Sequence, residues 1–257
     1  MIGFCPLASG SKGNAIYLGS EKTKILIDAG ISAKCCTERL KTLGVAIQDI
    51  DAICVTHEHH DHIQGLKVLA FKYGIPIIAN SETAKAICET LHDCPNFKIF
   101  TTDEPFEFGD LTISPFSIRH DAVDPVAFTI TAHDIKVGVC TDIGFVTPTV
   151  QHQLQQCNIL YVEANHEEAF VHASSRPPIY KERVLSRTGH LSNTACAQLI
   201  HQVHHANLQQ VYLAHLSSEC NTPEKAVSVV STLLEKHGIT LPLTICAQEQ
   251  NSQVTRF

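Results

Sequence analysis

Five apolar segments of this sequence each lead into an aspartate or a histidine. The residues at the ends of these segments are Asp28, His57, His120, Asp142 and His215. In sheets flanked by helices, functional sites form beyond the carboxyl ends of the strands, so residues far apart in sequence meet at one edge. Imidazole and carboxylate are the usual non-thiolate ligands of zinc and its neighbours in the transition series. The pattern predicts strands that alternate with helices, and a metal site at one sheet edge.

The densest group of such residues is His-Glu-His-His-Asp-His at 57–62. A short apolar run, Asp51–Thr56, precedes it and reads as a buried strand, and Ile63–Tyr73 has the apolar spacing of a helix. A turn between a strand and a helix lets neighbouring side chains converge on one point. The four histidines and two carboxylates of this motif therefore predict a metal-binding turn. The alternative is a chance polar loop in a chain with 16 histidines.

Strands and helices are expected to alternate along the whole chain. Besides the segment after the motif, the clearest predicted helices are Ser32–Leu43, Ser81–Leu91 with Ser81 as N-cap, and Tyr180–Arg187. The segment Ile53–His57 matches Val211–His215 in form, since each is an apolar run that ends in a histidine. We expect residues 1–257 to form a single domain of two similar α/β halves with the site between them.

Length and composition favour a soluble protein. A chain of 257 residues with 44% apolar residues can bury a large core. No stretch approaches the roughly 18 uninterrupted apolar residues of a membrane span. The N-terminus lacks the charged-then-apolar pattern of a secretion signal. We therefore expect a cytoplasmic protein without a membrane partner.

The 11 cysteines do not follow the spacing of a disulfide framework. Their number is odd, and the absence of a Cys-x-x-Cys pair argues against a zinc ribbon. The expectation is that they are reduced and mostly buried.

The formal charge of −7 argues against a broad basic surface that wraps nucleic acid. Bound divalent ions would nevertheless place a strong positive field in one cleft, so phosphates remain possible ligands. Contacts from the protein would then depend on a few cations such as Lys12 and Arg119.

The polar loop Ser9–Asn14 lies between two predicted strands. It is not a Walker A motif, because it lacks Gly-Lys-Ser/Thr at the required spacing and a strand rather than a helix follows it. The sequence leaves two interpretations open: a flexible turn, or a loop that faces the substrate.

The ordered motifs resemble those of the metallo-β-lactamase superfamily over residues 25–216. The matching segments are Ile27–Gly30, the 57–62 motif, His120, Thr141-Asp142 and His215. Flanking segments at 7–14, 165–166, 189–193 and 214–217 resemble the YycJ/WalJ branch, whose members are regarded as metal-dependent nucleases, notably 5′→3′ exonucleases on DNA. The sequence departs from its relatives at His60, where they usually carry a small polar residue, and this puts the ion affinity in doubt.

The resemblance implies a four-layer αβ/βα sandwich and two divalent ions, Zn or Mn, per chain. It assigns the ligands in three groups: His57, His59 and His120 for one ion; Asp61, His62 and His215 for the other; and Asp142 as the bridge. Asp28 would orient these ligands by hydrogen bonds, although it could instead be a turn-forming residue.

The remaining site predictions concern catalysis and substrate binding. Glu163 and His190 are similar in position to the acidic residue and the histidine that assist leaving-group protonation in the related tRNase Z enzymes, while a salt bridge or a helix cap would explain them nearly as well. Asp61 or a water molecule is expected to accept the proton of the nucleophile. The predicted substrate contacts are Ser192 and Asn193 at a helix N-terminus that suits phosphate, together with Asn165 and Lys12. A solvated helix face is expected to carry His201, His204 and His205.

The predicted reaction is phosphodiester hydrolysis by a hydroxide that bridges the two ions, with DNA as the substrate. Because a fold does not determine its substrate, the alternative is a hydrolase of carboxyl esters, thioesters or lactones on the same scaffold. A metal-dependent binding module without turnover is disfavoured, since structural metal sites are usually closed and mononuclear. Only 72 residues separate Asp142 from His215 (143–214), too few for the inserted cap domain of larger RNA-processing relatives.

Overall fold

The computed structural model describes residues 1–257 and contains two sheets. The six strands of the first sheet lie side by side in chain order: β1 (Gly3–Ala8), β2 (Ala15–Gly19), β3 (Lys24–Ala29), β4 (Ala52–Cys54), β5 (Ile77–Asn80) and β6 (Phe97–Phe100). The strands β1 to β3 are antiparallel, and β3 to β6 are parallel.

The second sheet repeats this arrangement. Its seven strands are again in chain order: β7 (Phe106–Phe108), β8 (Leu111–Ser117), β9 (Val126–Ala132), β10 (Ile135–Cys140), β11 (Ile159–Glu163), β12 (Gln210–Ala214) and β13 (Leu243–Ile245). Pairing is antiparallel from β7 to β10 and parallel from β10 to β13.

Nine α-helices accompany the sheets: α1 (Ala33–Thr42), α2 (His60–Ile63), α3 (Leu66–Tyr73), α4 (Ser81–Leu91), α5 (Pro148–Leu154), α6 (Glu168–Ala173), α7 (Pro178–Leu185), α8 (Asn193–Val203) and α9 (Pro223–Lys236). Side-chain caps define several helix starts, because a cap oxygen accepts a backbone N–H that lacks a partner in the first turn. Ser32, Thr147, Ser192 and Thr222 cap α1, α5, α8 and α9 in this way. None of the helices combines the length and the apolar character needed to cross a membrane.

Three cores separate four layers. A core of 26 buried residues lies between the first sheet and α1, α3 and α4, and one of 24 lies between the second sheet and α5, α8 and α9. A third core, of 22 residues, joins the two sheets. In this central core Phe4 of β1 packs against Tyr161 and Tyr212, with ring centroids 6.1 and 5.3 Å apart. The predicted four-layer αβ/βα sandwich is confirmed.

Three predicted helices differ from the structure in detail. The helix expected over Ile63–Tyr73 is interrupted at Gly65, whose N–H donates to the carbonyl of Ala29 at 2.8 Å rather than to its own helix. The N-cap of α4 is Asn80, which accepts from Thr83 N, so the assignment of Ser81 is wrong by one residue. The predicted Tyr180–Arg187 helix is α7 and begins two residues earlier, at Pro178.

The cysteines largely behave as expected. Nine are unpaired, and eight of these are buried. The expectation that all are reduced is wrong for Cys88 and Cys94, which form a disulfide between α4 and the turn that follows it. The two residues are only six positions apart, so the helix end itself brings them together.

A solvated face was expected for the histidine cluster at the end of α8, but the structure shows that only part of it faces solvent. The ring of His201 stacks on that of His237 at a centroid distance of 3.9 Å. His205 bonds through Nε2 to the carbonyl of Cys157 at 2.9 Å. Only His204 is fully exposed.

Candidate metal centre

The ends of strands from both sheets meet at one edge, as the strand pattern predicts. Asp28 lies near the end of β3. Asp142 follows two residues after the end of β10, and His215 directly follows β12. These three residues have φ angles of 60°, 58° and 53°, in a left-handed region that non-glycine residues seldom occupy. Such backbone conformations cluster at functional sites, where the surrounding structure holds them in place.

The seven predicted metal ligands form two adjoining groups. The ligand atoms of His57, His59 and His120 lie within 4.8 Å of one another, and a second group of the same compactness consists of Asp61, His62 and His215. Asp142 lies with His57 and His62 in a third group that overlaps both. The structure therefore brings all seven residues together, with the carboxylate of Asp142 between the two histidine sets.

Three of the ligand histidines have one ring nitrogen bound by a neighbouring side chain. His62 donates from Nδ1 to Asp28 Oδ2 at 2.7 Å, and His215 donates from Nδ1 to Glu163 Oε1 at 2.8 Å. The hydroxyl of Thr56 donates to Asp28, so its oxygen is free to accept from His57 Nδ1 at 3.0 Å. Metal-binding histidines show this pattern, because a partner on one nitrogen fixes the tautomer and the ring orientation.

Backbone carbonyls bind the other two histidines. Nε2 of His59 lies 3.2 Å from the carbonyl oxygen of Asp121, and Nδ1 of His120 lies 3.3 Å from that of Gly189. The opposite nitrogens, His59 Nδ1 and His120 Nε2, face each other at 3.3 Å. All five ligand histidines thus keep one nitrogen for the centre.

The inward-facing atoms fit a divalent cation. His57 Nε2, His215 Nε2 and Asp142 Oδ2 are buried and have no hydrogen-bond partner. Unsatisfied buried polar atoms are costly, and cations held by the two ligand sets would satisfy all three. Burial and the nearby His62 keep the pKa of His57 well below its ordinary value, so its ring is neutral and able to bind metal. Burial opposes ionisation of Asp142, but His215 and His62 outweigh it and hold its pKa well below the ordinary carboxyl value.

Comparison with known proteins identifies the family. Residues 23–216 match the family described as "Beta-lactamase superfamily domain". The chain belongs to this superfamily. It is 36% identical over 237 residues to Exodeoxyribonuclease YycJ of Bacillus anthracis, an alignment that covers 91% of this chain and 90% of the relative. It is 37% identical over 224 residues to Exodeoxyribonuclease WalJ of Streptococcus pneumoniae, covering 86% and 83% of the two chains.

The fold comparison agrees with the sequence. The structure of the metallo-β-lactamase fold protein YhfI from Bacillus subtilis superimposes with a TM-score of 0.72 over 98% of this chain and 99% of that one, at 18% identity. The predicted superfamily and the predicted YycJ/WalJ branch are both confirmed. Membership of the β-lactamase superfamily and the clustered donors together support the use of divalent metal.

Glu163 contacts both a predicted metal ligand, His215, and the predicted proton donor, His190. Its Oε1 accepts from Nδ1 of His190 and of His215, both at 2.8 Å, and its Oε2 accepts from the N–H groups of Ile143 and Leu191. Burial opposes ionisation, but His190 and the hydrogen bonds outweigh it and lower the pKa of Glu163 to about 2. The side chain is fully buried, so Glu163 reaches a substrate only through the two histidines.

The open cleft above the ligands has a volume of about 250 Å³. Besides metal ligands and His190, polar and aromatic side chains line it: Ser11, Asn165, Tyr180, Arg183 and Ser217. Sequence reasoning missed Tyr180 and Arg183, because their helix, α7, carries no motif. Arg183 donates from Nε to Asp121 Oδ2 at 2.6 Å, which places a guanidinium at the rim of the cleft.

Residues of the Ser9–Asn14 loop contact the predicted metal ligands, and one residue of the loop also lines the cleft. Asn14 lies with Nδ2 3.3 Å from Asp61 Oδ2 and 3.1 Å from His62 Nε2. The hydroxyl oxygen of Ser9 accepts from His215 N at 2.8 Å. Ser11 lines the cleft. The loop is therefore ordered by the site, and Ser9 and Asn14 are contributors that the sequence did not identify.

The predicted substrate contacts are only partly in place. Asn165 lines the cleft while its Nδ2 donates to the carbonyl of His215. Ser192 caps α8 and lines a neighbouring cavity. Lys12 is exposed and lies outside the cleft, in a separate cavity that shares Ser11 with it. The prediction for Asn193 is wrong, because its side chain is fully buried and pairs with the amide of Asn221.

His60 does not join the centre. Its side chain is exposed and belongs to none of the groups of metal-competent atoms. The departure from the usual sequence of the superfamily at this position therefore faces solvent rather than the ligands.

Proposed function

We propose that this chain is a metal-dependent nuclease that removes nucleotides from the 5′ end of DNA. One observation carries the proposal. The two predicted ligand sets lie next to His190, which is hydrogen-bonded to the buried carboxylate of Glu163. Two relatives that align over most of this chain and most of their own length are named exodeoxyribonucleases, which supports DNA as the substrate. The 5′→3′ direction rests on resemblance to the YycJ/WalJ branch.

The proposal includes two divalent ions, Zn or Mn, per chain. His57, His59 and His120 would hold one ion, Asp61, His62 and His215 the other, and Asp142 would serve both. Nitrogen and oxygen donors without thiolate suit either metal. When bound, such ions lower the pKa of water and neutralise charge on a phosphate.

The residues of the chain supply positioning and proton transfer. Asp61 lines the cleft and accepts the proton of the attacking water, with Asn14 beside its carboxylate. His190 uses Nδ1 for Glu163, so Nε2 is the nitrogen that gives a proton to the departing O3′ oxygen. Glu163 fixes this orientation and stabilises the charged ring. The bond between phosphorus and O3′ breaks, and its electron pair stays on O3′ until the proton arrives.

Recognition of the DNA backbone depends on few cations. The chain carries a net charge of −7, and the rim of the cleft offers Arg183, with Lys12 and Arg119 exposed further out. We include a cytoplasmic location in the proposal, since most of the cysteines are unpaired and buried.

The test compares 5′-labelled and 3′-labelled DNA of one sequence, with Mn or Zn and with chelator. We expect early release of a labelled mononucleotide from the 5′ label alone, and no release with chelator. Early mononucleotide from the 3′ label would reverse the direction. Rapid hydrolysis of a thioester or lactone without cleavage of any nucleic acid would favour the alternative hydrolase.

A further inference from the structure

A second cavity, of about 460 Å³, opens next to the metal cleft. It lies between α5, α8 and the loop that follows Asp142, and His190 lines both this cavity and the cleft. Its volume falls within the range of small-molecule sites, about 300–1,000 Å³. A group bound there would be adjacent to a phosphate held at the metal centre.

The walls of the cavity combine apolar surface with side-chain amides. Phe145, Leu185 and Leu199 are among the apolar residues that line it. Gln151, Gln198 and Gln202 also line it, with Gln198 and Gln202 exposed, so their side-chain amides are accessible to a ligand. An amide offers both donors and an acceptor, which is the chemistry that reads the edge of a nucleobase.

The charge of the cavity points to a neutral occupant. Its lining contains no lysine or arginine, and its only carboxylate is the exposed Glu168. Away from the His190 edge that it shares with the metal cleft, the lining offers a phosphate no cationic side chain, whereas a planar base would find apolar contacts for its faces and amides for its edge.

The proposed reaction indicates which nucleotide lies on this side. In that reaction water forms a bond to phosphorus, the P–O3′ bond breaks, and O3′ takes a proton from His190. O3′ belongs to the 5′-terminal nucleotide, so the sugar of that nucleotide is next to His190. The rest of the strand, with its new 5′-phosphate, would then extend away from His190, and the cavity lined by Ser11 and Lys12 is available to it.

We propose that the cavity between α5 and α8 binds the base of the 5′-terminal nucleotide. The proposal rests on the proposed 5′→3′ nuclease function and adds a specific subsite to it. Ala195, Gln198 and Gln202 are spaced three and four residues apart, so they present one face of α8 to this base.

The first experiment uses wild-type protein and three 5′-phosphorylated DNA strands. One is unmodified, one has an abasic first residue, and one has an abasic second residue. Loss of a stacked and hydrogen-bonded base should raise KM about tenfold for the strand with the abasic first residue. The strand with the abasic second residue should have a KM near that of unmodified DNA.

The second experiment fills the cavity. Ala195→Phe should reduce the tenfold KM ratio between the abasic-first and unmodified strands toward one, because the base no longer has a place to bind. Thr194→Phe is the matched control, since Thr194 is exposed on the same helix and does not line the cavity, so the ratio should stay near ten. If Ala195→Phe does not fold, the double variant Gln198→Ala and Gln202→Ala should lower the same ratio.

The outcomes separate this proposal from the one on which it rests. A wild-type ratio of one with active cleavage would overturn the base site and leave the nuclease function in place. If KM rises only for the strand with the abasic second residue, the cavity binds a base on the other side of the scissile bond. That result would also overturn the proposed site for the 5′-terminal base. Absence of cleavage for all three strands with metal would contradict the nuclease function itself.

Discussion

At the scale of single residues, Asp28 decides which nitrogen of His62 is available to metal. Its two carboxylate oxygens accept from Thr56 N, from the Thr56 hydroxyl and from His62 Nδ1. In Asp28→Asn the amide has one acceptor oxygen, so its NH₂ group must face one of these donors. We expect metal affinity to fall by about 10–100-fold.

Competition with a chromophoric chelator measures this affinity. Asp134→Asn is the control, because Asp134 is exposed on the β9–β10 turn and should leave the affinity unchanged. Equal affinities for wild type and Asp28→Asn would make Asp28 a turn residue, the alternative that the sequence left open.

Asp142 and His215 should differ in their effect on metal content. The Asp142 carboxylate lies between the two ligand sets, so Asp142→Ala should weaken binding of both ions. His215→Ala should empty mainly the set that contains Asp61 and His62. Elemental analysis after reconstitution and desalting distinguishes two ions, one and none per chain. His60→Ala is the control and should retain the wild-type content; a wild-type content of one ion would rule out the binuclear centre.

His190 is expected to act on the leaving group rather than on the metal. His190→Ala should lower turnover of DNA by about 10²–10⁴-fold while metal content stays unchanged. The loss should be smaller for bis(p-nitrophenyl) phosphate, because nitrophenolate leaves without a proton. His172→Ala, an exposed histidine, should have neither effect. An equal loss on both substrates would indicate a structural role for His190.

At the scale of elements, the centre depends on a close approach of three segments. Gly30 accepts no side chain, since a Cβ there would lie 1.6 Å from the carbonyl oxygen of Asp61. Gly30 N also donates to Asn14 O, and Asn14 N donates to Asp61 O. The end of β3, the Ser9–Asn14 loop and α2 therefore meet at one point.

Gly30→Ala should push the α2 segment away from β3. We expect the free energy of unfolding to fall by about 1–3 kcal/mol and metal affinity to fall with it. Gly238→Ala is the control: Gly238 has a φ of +70° with open space around it, so only backbone strain of about 1 kcal/mol should appear. Denaturant titration and chelator competition together test the expectation, which unchanged metal affinity in Gly30→Ala would contradict.

At the scale of the whole molecule, the central core joins the two halves. Phe4 of the first sheet contacts Tyr161 and Tyr212 of the second, and all three are buried. Because the halves share this core, we propose that residues 1–257 unfold as one unit. Phe4→Ala should lower the free energy of unfolding by about 3–5 kcal/mol and keep a single transition.

Far-UV circular dichroism and tyrosine fluorescence follow this transition, since the chain has no tryptophan. Coincident curves would support one folding unit. Separate transitions for the two probes would divide the chain into two domains. Ile179→Ala is the control, because Ile179 is 76% exposed and should have little effect.

The sequence by itself determined the alternation of strands and helices and the types of ligand, while the four layers followed from the family resemblance. Apolar runs with polar ends, N-caps such as Ser32 and the 57–62 motif are local patterns, and the chemistry of a ligand is a property of its own side chain. Tertiary structure decided what depends on distant neighbours. It buried Asn193 against Asn221 and Glu163 beneath two histidines, and it brought Ser9 and Asn14 under the centre. It also interrupted the predicted helix at Gly65, whose backbone N–H donates to the carbonyl of Ala29, 36 residues away in the chain. Contacts of this kind form between segments whose separation leaves no periodicity in the sequence, so only the packed chain could reveal them.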